Sequence, residues 1–315
     1  MPNPTQEPIV VSWSEISSRR ACPHKHHLEY RERWTKQKPL NSALGKGTLF
    51  HACLEAYYLG RKEGLSPGLC LLKAVNVLEE TPIESEFDQE AVDTVRWMLV
   101  GYHDMYQGDS LWSVVAVEHR FRVKLPQVMS DQPEIWLKGS IDLLVRDERN
   151  RLIVVDHKTC ASLPKDQSFE LSDQFSLYLW ALRELGIVPY AAMHNAIKTK
   201  RNKGDIPGAI EEWAEIKAAG GRAGAEPKMQ TLEQRFARKL ISRTPRELTT
   251  IAREAAATAA QAYRNPHMNE RNPNEDYCRF MCSFREPCLD GRKYGREFEL
   301  GSLRDAGYVQ DFTRH

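Results

Sequence analysis

The stretch Leu137-Lys-Gly-Ser-Ile-Asp142, followed beyond a polar turn by Ile153-Val-Val-Asp156-His-Lys158, decides how this chain folds. Apolar, β-branched runs from Ile135 to Val145 and from Leu152 to Val155 read as two strands, and Arg146-Asp-Glu-Arg-Asn-Arg151 between them reads as a hairpin turn. Asp142 and Asp156 interrupt strands that otherwise want to be buried. An ionised carboxylate away from water is costly unless it is paired or binds a cation. Two aspartate oxygens completed by water suit a hard divalent ion, Mg²⁺ or Mn²⁺, and Lys158 shares the strand face of Asp156. A buried Asp-Lys ion pair in an ordinary α/β core is the alternative these residues leave open by themselves.

Working outward, Ser12-Trp-Ser-Glu15 offers a capping box for a first helix. A helical region follows from about Leu40 to Gln107, in which Leu49, Ala52, Cys53, Ala56 and Tyr57 form an apolar face with His51 beside it. Strands at 112–125, 135–146 and 151–158 make a central meander, with Glu118 on the first of them. Glu118 could equally be a surface residue paired with Arg120 or Lys138. The helix around 171–186 puts Gln174 and Tyr178 one turn apart on one face, and Ala191 to Ile197 reads as the next strand. Gly204 to Pro227, rich in Gly and Ala, reads as an irregular excursion or mobile loop. Thr244-Pro-Arg-Glu247 opens a helix to about Tyr263, with five alanines between Ala255 and Ala260. Leu289 to His315 reads as a polar appended tail.

The 315 residues are 41% hydrophobic and 28% charged, an ordinary balance for a soluble protein. A net charge of +1 hides an uneven distribution, since Tyr190 to Thr250 carries 12 Lys or Arg against 7 Asp or Glu. Lys198, Lys200, Arg201 and Lys203 crowd the end of the strand at 191–197, where they serve as a solvated loop or as phosphate contacts. No signal-like or membrane-length apolar run occurs, so the expected setting is the cytoplasm and no membrane partner is expected. No Gly-x4-Gly-Lys-[Ser/Thr] motif occurs either, so no nucleotide-binding P-loop is expected here.

Seven cysteines are too few for a disulfide scaffold. Cys278, Cys282 and Cys288 cluster in a Pro-flanked segment that reads as poor in helix, and Cys22 stands before Pro23 near the other end. Thiolates serve zinc and iron-sulfur sites alike, although zinc more often uses Cys-x2-Cys pairs, and the ligand types do not choose between them. Cys53 and Cys70 fall in apolar helical patterns as small core residues, and Cys160 has no assigned role.

Taken in order, His51, Glu118, Asp142, Asp156-x-Lys158 and Gln174-x3-Tyr178 resemble the motif series of the PD-(D/E)XK nuclease superfamily, in its RecB-like, CRISPR-associated exonuclease branch with an iron-sulfur cluster. The resemblance runs from about Ser12 to Cys288. It departs at His157, where the branch often has Tyr or Phe, and between Tyr190 and Leu240, which match nothing specific. It implies a restriction-endonuclease-like α/β core, a central mixed sheet flanked by helices. The implied organisation is a helical N-terminal region (1–111), a nuclease core (112–203), a loop and helical region (204–264), and a cluster segment with tail (265–315), all one structural unit.

It further implies a Mg²⁺- or Mn²⁺-dependent DNA exonuclease acting in recombination, repair or phage DNA processing. His51, Asp142, Asp156 and the His157 carbonyl would be metal ligands, with Asp142, Asp156, Lys158 and Glu118 catalytic and Gln174 and Tyr178 on substrate. Cys22, Cys278, Cys282 and Cys288 would hold a cluster, 4Fe-4S by resemblance, closing a long loop so that its loss loosens the fold. DNA would be the partner, with a helicase or recombination protein beside it. The rivals are a non-catalytic DNA-end or partner-binding module of the same fold, and a protein whose cysteine cluster senses redox state or transfers electrons.

Overall fold

The computed structural model describes residues 8–36, 39–107, 109, 111–129, 132–164, 172–264, 270–272, 274 and 276–312. In chain order the elements are β1 (Ile9–Ser12), α1 (Trp13–Ala21), α2 (Pro23–His26), a π-helical turn (His27–Arg31), β2 (Trp34–Lys36), α3 (Ala43–Lys62), α4 (Pro67–Glu79), α5 (Glu86–Tyr106) and β3 (Ser113–Lys124). There follow β4 (Ile135–Arg146), β5 (Leu152–Cys160), α6 (Asp173–Glu184), β6 (Ala191–Lys198), α7 (Ala209–Ala218), β7 (Phe236–Ile241) and α8 (Pro245–Arg264). A second π-helical turn (Tyr277–Met281) precedes α9 (Arg285–Tyr294), α10 (Arg296–Asp305) and β8 (Tyr308–Gln310). Position 171, where the helix was expected to begin, and the tail end at 313–315 lie outside the described residues.

The chain divides into two compact units, one of Pro39–Arg120 and Ser140–Arg243, the other of Met1–Lys38, Phe121–Gly139 and Thr244–His315. In the first, a mixed sheet carries the two aspartates. β4 runs antiparallel to β5 from Leu143↔Val155 to Arg146↔Leu152, β5 is parallel to β6 with Asp156 opposite His194, β6 is antiparallel to β7, and β3 lies on the other side of β4. The helices α3, α4 and α5 start on serine caps, since Ser42, Ser66 and Ser85 each accept a backbone N–H from three residues on. Their apolar faces, with Cys53 and Cys70 fully buried among them, pack on Leu143, Val145, Ile153 and Val155. Side chains alternate along a strand, so Asp142, Asp156 and Lys158 face the other way, toward α6.

In the second unit β1 pairs in parallel with the first half of β4, Ile9↔Ile135 to Ser12↔Lys138. A strand therefore precedes the helix with which the chain was expected to open. Ser12 caps α1 by accepting from Glu15 N at 3.2 Å, but Glu15 does not complete a box, because its carboxylate takes His26 Nε2 at 3.3 Å instead. The Thr244–Glu247 box is complete, Glu247 N donating to Thr244 Oγ1 at 3.2 Å and Thr244 N to Glu247 Oε2 at 2.7 Å.

Two expectations are corrected. Gly204 to Pro227 is not wholly irregular, because α7 occupies its middle between glycines at positive φ, Gly208 (80°) and Gly220 (74°), which no side chain needs to fill. Leu289 to Gln310 is no appended tail: β8 pairs with β2, and Leu303 and Tyr308 share a core with Leu28, Trp34 and Phe284. Burial of these few large apolar groups outweighs the polar composition around them.

Candidate metal centre

The β4–β5 ladder stops at Leu143↔Val155, one position short of the two aspartates. There the strands part, and the backbone N–H of His157, instead of completing the ladder, donates to Asp142 Oδ2 at 2.7 Å. A third element reaches the same place because α3 approaches β5 closely at Gly47, where an added Cβ would lie 2.8 Å from Thr159 Oγ1. One helical turn later His51 Nδ1 stands 3.6 Å from Asp142 Oδ2. Glu118 arrives from β3 with φ 47°, a left-handed conformation that a glutamate adopts only at a cost of about 1–2 kcal/mol. Its Oε2 accepts from Ser140 Oγ at 2.8 Å, a partner other than Arg120 or Lys138. Ligand atoms of His51, Glu118 and Asp142 all lie within 4.8 Å of one another.

Beside this trio, Asp156 is 2% exposed and Lys158 41% exposed. Lys158 Nζ donates to Asp156 Oδ1 at 3.1 Å and sits 3.0 Å from Oδ2, off the hydrogen-bonding direction, so Oδ2 is buried without a donor. Gln174 Nε2 lies 3.4 Å from Asp156 Oδ1 and donates to Tyr178 Oη at 2.8 Å. Gln174 and Tyr178 thus brace the carboxylate from α6, and Tyr178 is itself buried.

The electrostatics are those of acids crowded together. Burial, and then the charge of Asp156, push the Asp142 carboxyl up to about 7. Burial raises Asp156 as well, against the pull of Lys158. Burial lowers His51 and so favours the neutral imidazole, the form that ligates metals. Burial likewise depresses His157 and raises the Tyr178 hydroxyl. Two crowded carboxyls whose ionised forms burial disfavours, with one buried oxygen lacking a donor, are the environment that a divalent cation would relieve. The residues fit such an ion.

Of the basic run, Lys200 and Lys203 are exposed. Lys198 donates to Gln230 and Arg201 pairs with Glu90 at 3.8 Å, so half of the run is committed to the protein. Cys160 donates weakly to Ile197 O at 3.5 Å. Sequence reasoning missed Ser140, and it missed the buried polar group beneath His157 described below.

In the other unit, Cys22, Cys278, Cys282 and Cys288 line one cavity of about 560 Å³, ringed by Lys25, Arg271, Arg279, Arg285 and Arg292. Cys278 lies in the second π-helical turn and Cys288 on α9, so the segment is not poor in helix. Arg271 Nε donates to Cys288 Sγ at 3.2 Å and Asn272 N to Cys22 Sγ at 3.5 Å. A second trio, His24, Cys288 and Glu299, also has ligand atoms within 4.8 Å. Glu299 already receives His24 Nε2 at 2.6 Å, Arg271 at 3.3 Å and Arg296, which makes that group an ion-paired support for the cysteines.

A mixed sheet flanked by helices, with acids meeting where two strands part and a lysine beside them, defines the restriction-endonuclease-like class of fold. The match to the family model of the PD-(D/E)XK nuclease superfamily covers residues 10–289, and the chain belongs to that family. Among solved structures it is similar to the crystal structure of SSO0001, at 12% identity over 89% of each chain with a TM-score of 0.36. No curated protein matches. Among the described residues no helix is long and apolar enough to cross a membrane.

The strained backbone at Glu118 gives a test of its purpose. Glu118→Asn places a residue that tolerates positive φ where glutamate is strained and withdraws the long carboxylate. The expected outcome is an unchanged or higher melting temperature with cleavage reduced about 10- to 100-fold. A drop in melting temperature with full activity would make Glu118 structural.

Proposed function

We propose that this chain is a Mg²⁺- or Mn²⁺-dependent DNA exonuclease of the RecB-like branch, working in recombination, repair or phage DNA processing in the cytoplasm. The observation that carries the reading is the meeting of His51, Glu118 and Asp142 donor atoms within 4.8 Å, beside buried Asp156 and its half-exposed partner Lys158. Asp142, Asp156, His51 and the His157 carbonyl would hold the ion, with Glu118 close enough to join them. The ion, when bound, supplies Lewis acidity toward a phosphodiester and acidifies water.

The chain's own groups do the rest. Lys158, tethered by Asp156 yet 41% exposed, can donate to a phosphate oxygen and offset charge that builds during the displacement. Gln174 holds Asp156 in register with Tyr178. Lys200 and Lys203, exposed beyond β6, are available to the DNA backbone. Exonuclease action rests on the motif order from His51 to Tyr178. No P-loop occurs among these 315 residues, and the partner proposed for strand separation is a helicase or recombination protein.

The test is cleavage of 5′- and 3′-labelled single- and double-stranded DNA with Mg²⁺, with Mn²⁺ and with chelator. Metal-dependent shortening from an end supports the reading. DNA binding without cleavage under any metal would favour the non-catalytic module.

The four-cysteine cavity is proposed to hold an iron-sulfur cluster of the 4Fe-4S type. The N–H donors already directed at Cys22 and Cys288 and the five surrounding cations suit a group of net negative charge. Its loss is expected to loosen the segment around 277–288, while the β2–β8 pairing and its apolar core still join the two ends of the chain. Anaerobically prepared protein should carry iron and acid-labile sulfide in equal amounts with visible absorbance, and Cys282→Ser should lose them. Stoichiometric zinc without sulfide would replace the cluster with a zinc site.

A further inference from the structure

Beneath the metal centre, on the sheet face turned away from α6, lies a buried polar group that the proposed chemistry does not use. Asn195 on β6, fully buried, places Nδ2 2.7 Å from His157 Nδ1 and 2.9 Å from Tyr102 Oη. Its Oδ1 accepts from Arg238 Nε at 3.3 Å. The amide can only donate from Nδ2, so His157 Nδ1 is an acceptor and the ring proton sits on Nε2. Arg238, from β7, donates to both oxygens of Asp109 at 2.6 and 2.9 Å and to Tyr102 Oη at 2.7 Å. The aromatic rings of Tyr106 and Trp112 hold its guanidinium at 3.4 and 4.4 Å. Tyr58 closes the group, its hydroxyl donating to Asp109 and its ring stacked on the His157 imidazole at 5.8 Å and 14°.

This much buried polarity is expensive unless every member is satisfied, and it then fixes one arrangement. What it fixes is the residue between Asp156 and Lys158. The His157 peptide N–H holds Asp142 Oδ2 at 2.7 Å, and the His51 ring stands edge-on to the His157 ring with centroids 6.0 Å apart.

We propose that Asn195 and Arg238 are positioning residues that act through the His157 side chain to fix its peptide, and through that peptide the carboxylate of Asp142 and the carbonyl offered to the metal. The proposal rests on the metal-centre reading above. Groups that hold a metal's ligands in place set metal affinity as well as stability.

The experiment is a double-mutant cycle read by Mn²⁺ titration calorimetry on the full chain, below the melting temperature of each variant. Asn195→Ala should weaken Mn²⁺ binding about tenfold in the wild-type background. In a His157→Phe background, where the imidazole link is gone, the same change should alter affinity less than twofold. Arg238→Lys keeps a cation beside Asp109 but loses the Nε contact to Asn195, and it should show the same pattern should Asn195→Ala fail to fold. Equal losses in both backgrounds, or wild-type affinity in Asn195→Ala, would overturn the proposal while leaving the metal centre standing. A wild-type chain that binds no Mn²⁺ would overturn both.

Discussion

Asp156→Ala and Lys158→Ala are each expected to reduce metal-dependent DNA cleavage by a factor on the order of a thousand or more, with opposite effects on stability. The Asp156 carboxylate is 2% exposed, its pKa is raised by burial, and one of its oxygens has no donor. Removing it relieves a desolvated charge and frees a lysine that already reaches solvent, so metal-free Asp156→Ala should melt at the wild-type temperature or above it. Lys158→Ala removes the cation that offsets that carboxylate. Its cost, discounted because Lys158 is 41% exposed, is about 1–3 kcal/mol at neutral pH. Loss of activity in both variants with this divergence in melting temperature separates chemistry from unfolding. Cleavage surviving either substitution would remove the nuclease assignment.

Metal affinity is expected to depend steeply on pH. Without a cation, burial and Asp156 push the Asp142 carboxyl up to about 7, so the fold prefers its protonated form. The sign follows directly: this group favours the fold fully below its unfolded value of about 4, and the advantage is lost as pH rises toward 7. A divalent ion takes the ionised form, so below pH 7 it must displace a proton. Apparent Mn²⁺ affinity should then fall about tenfold per pH unit, on the order of a hundredfold from pH 7 to pH 5. Calorimetry in buffers of different ionisation enthalpy reads the proton release, and melting with saturating Mn²⁺ should show a larger stabilisation at pH 8 than at pH 5.5. An affinity that is flat across this range would mean that Asp142 is not a ligand.

The parts of the fold legible in the sequence are those whose signals are local. β4, β5 and the turn between them announce themselves by adjacent apolar runs and polar punctuation. His51, Glu118 and Asp142 could be anticipated as a set only from motif order, because they come from a helix and two strands that nothing local brings together. β1 and β8 were not legible, since each is short and pairs with a distant segment, β4 and β2 respectively. The left-handed turn at Glu118 has no sequence signature, as glutamate is a poor residue for it. Arg238 counted as one more cation in a basic stretch, yet it is tied to Asp109 in the protein interior. Neither its partner nor Asn195 is within reach by any periodicity. Polar groups buried through long-range pairing are where composition misleads.

The most direct measurement is the position of Mn²⁺ in crystals of the full chain, located by its anomalous scattering at pH 8. One Mn²⁺ peak is expected among Asp142, Asp156, His51 and Glu118, and it should be lost in Asp156→Ala. Saturated crystals with Mn²⁺ bound only elsewhere, and Lys158 still closed on Asp156, would contradict it.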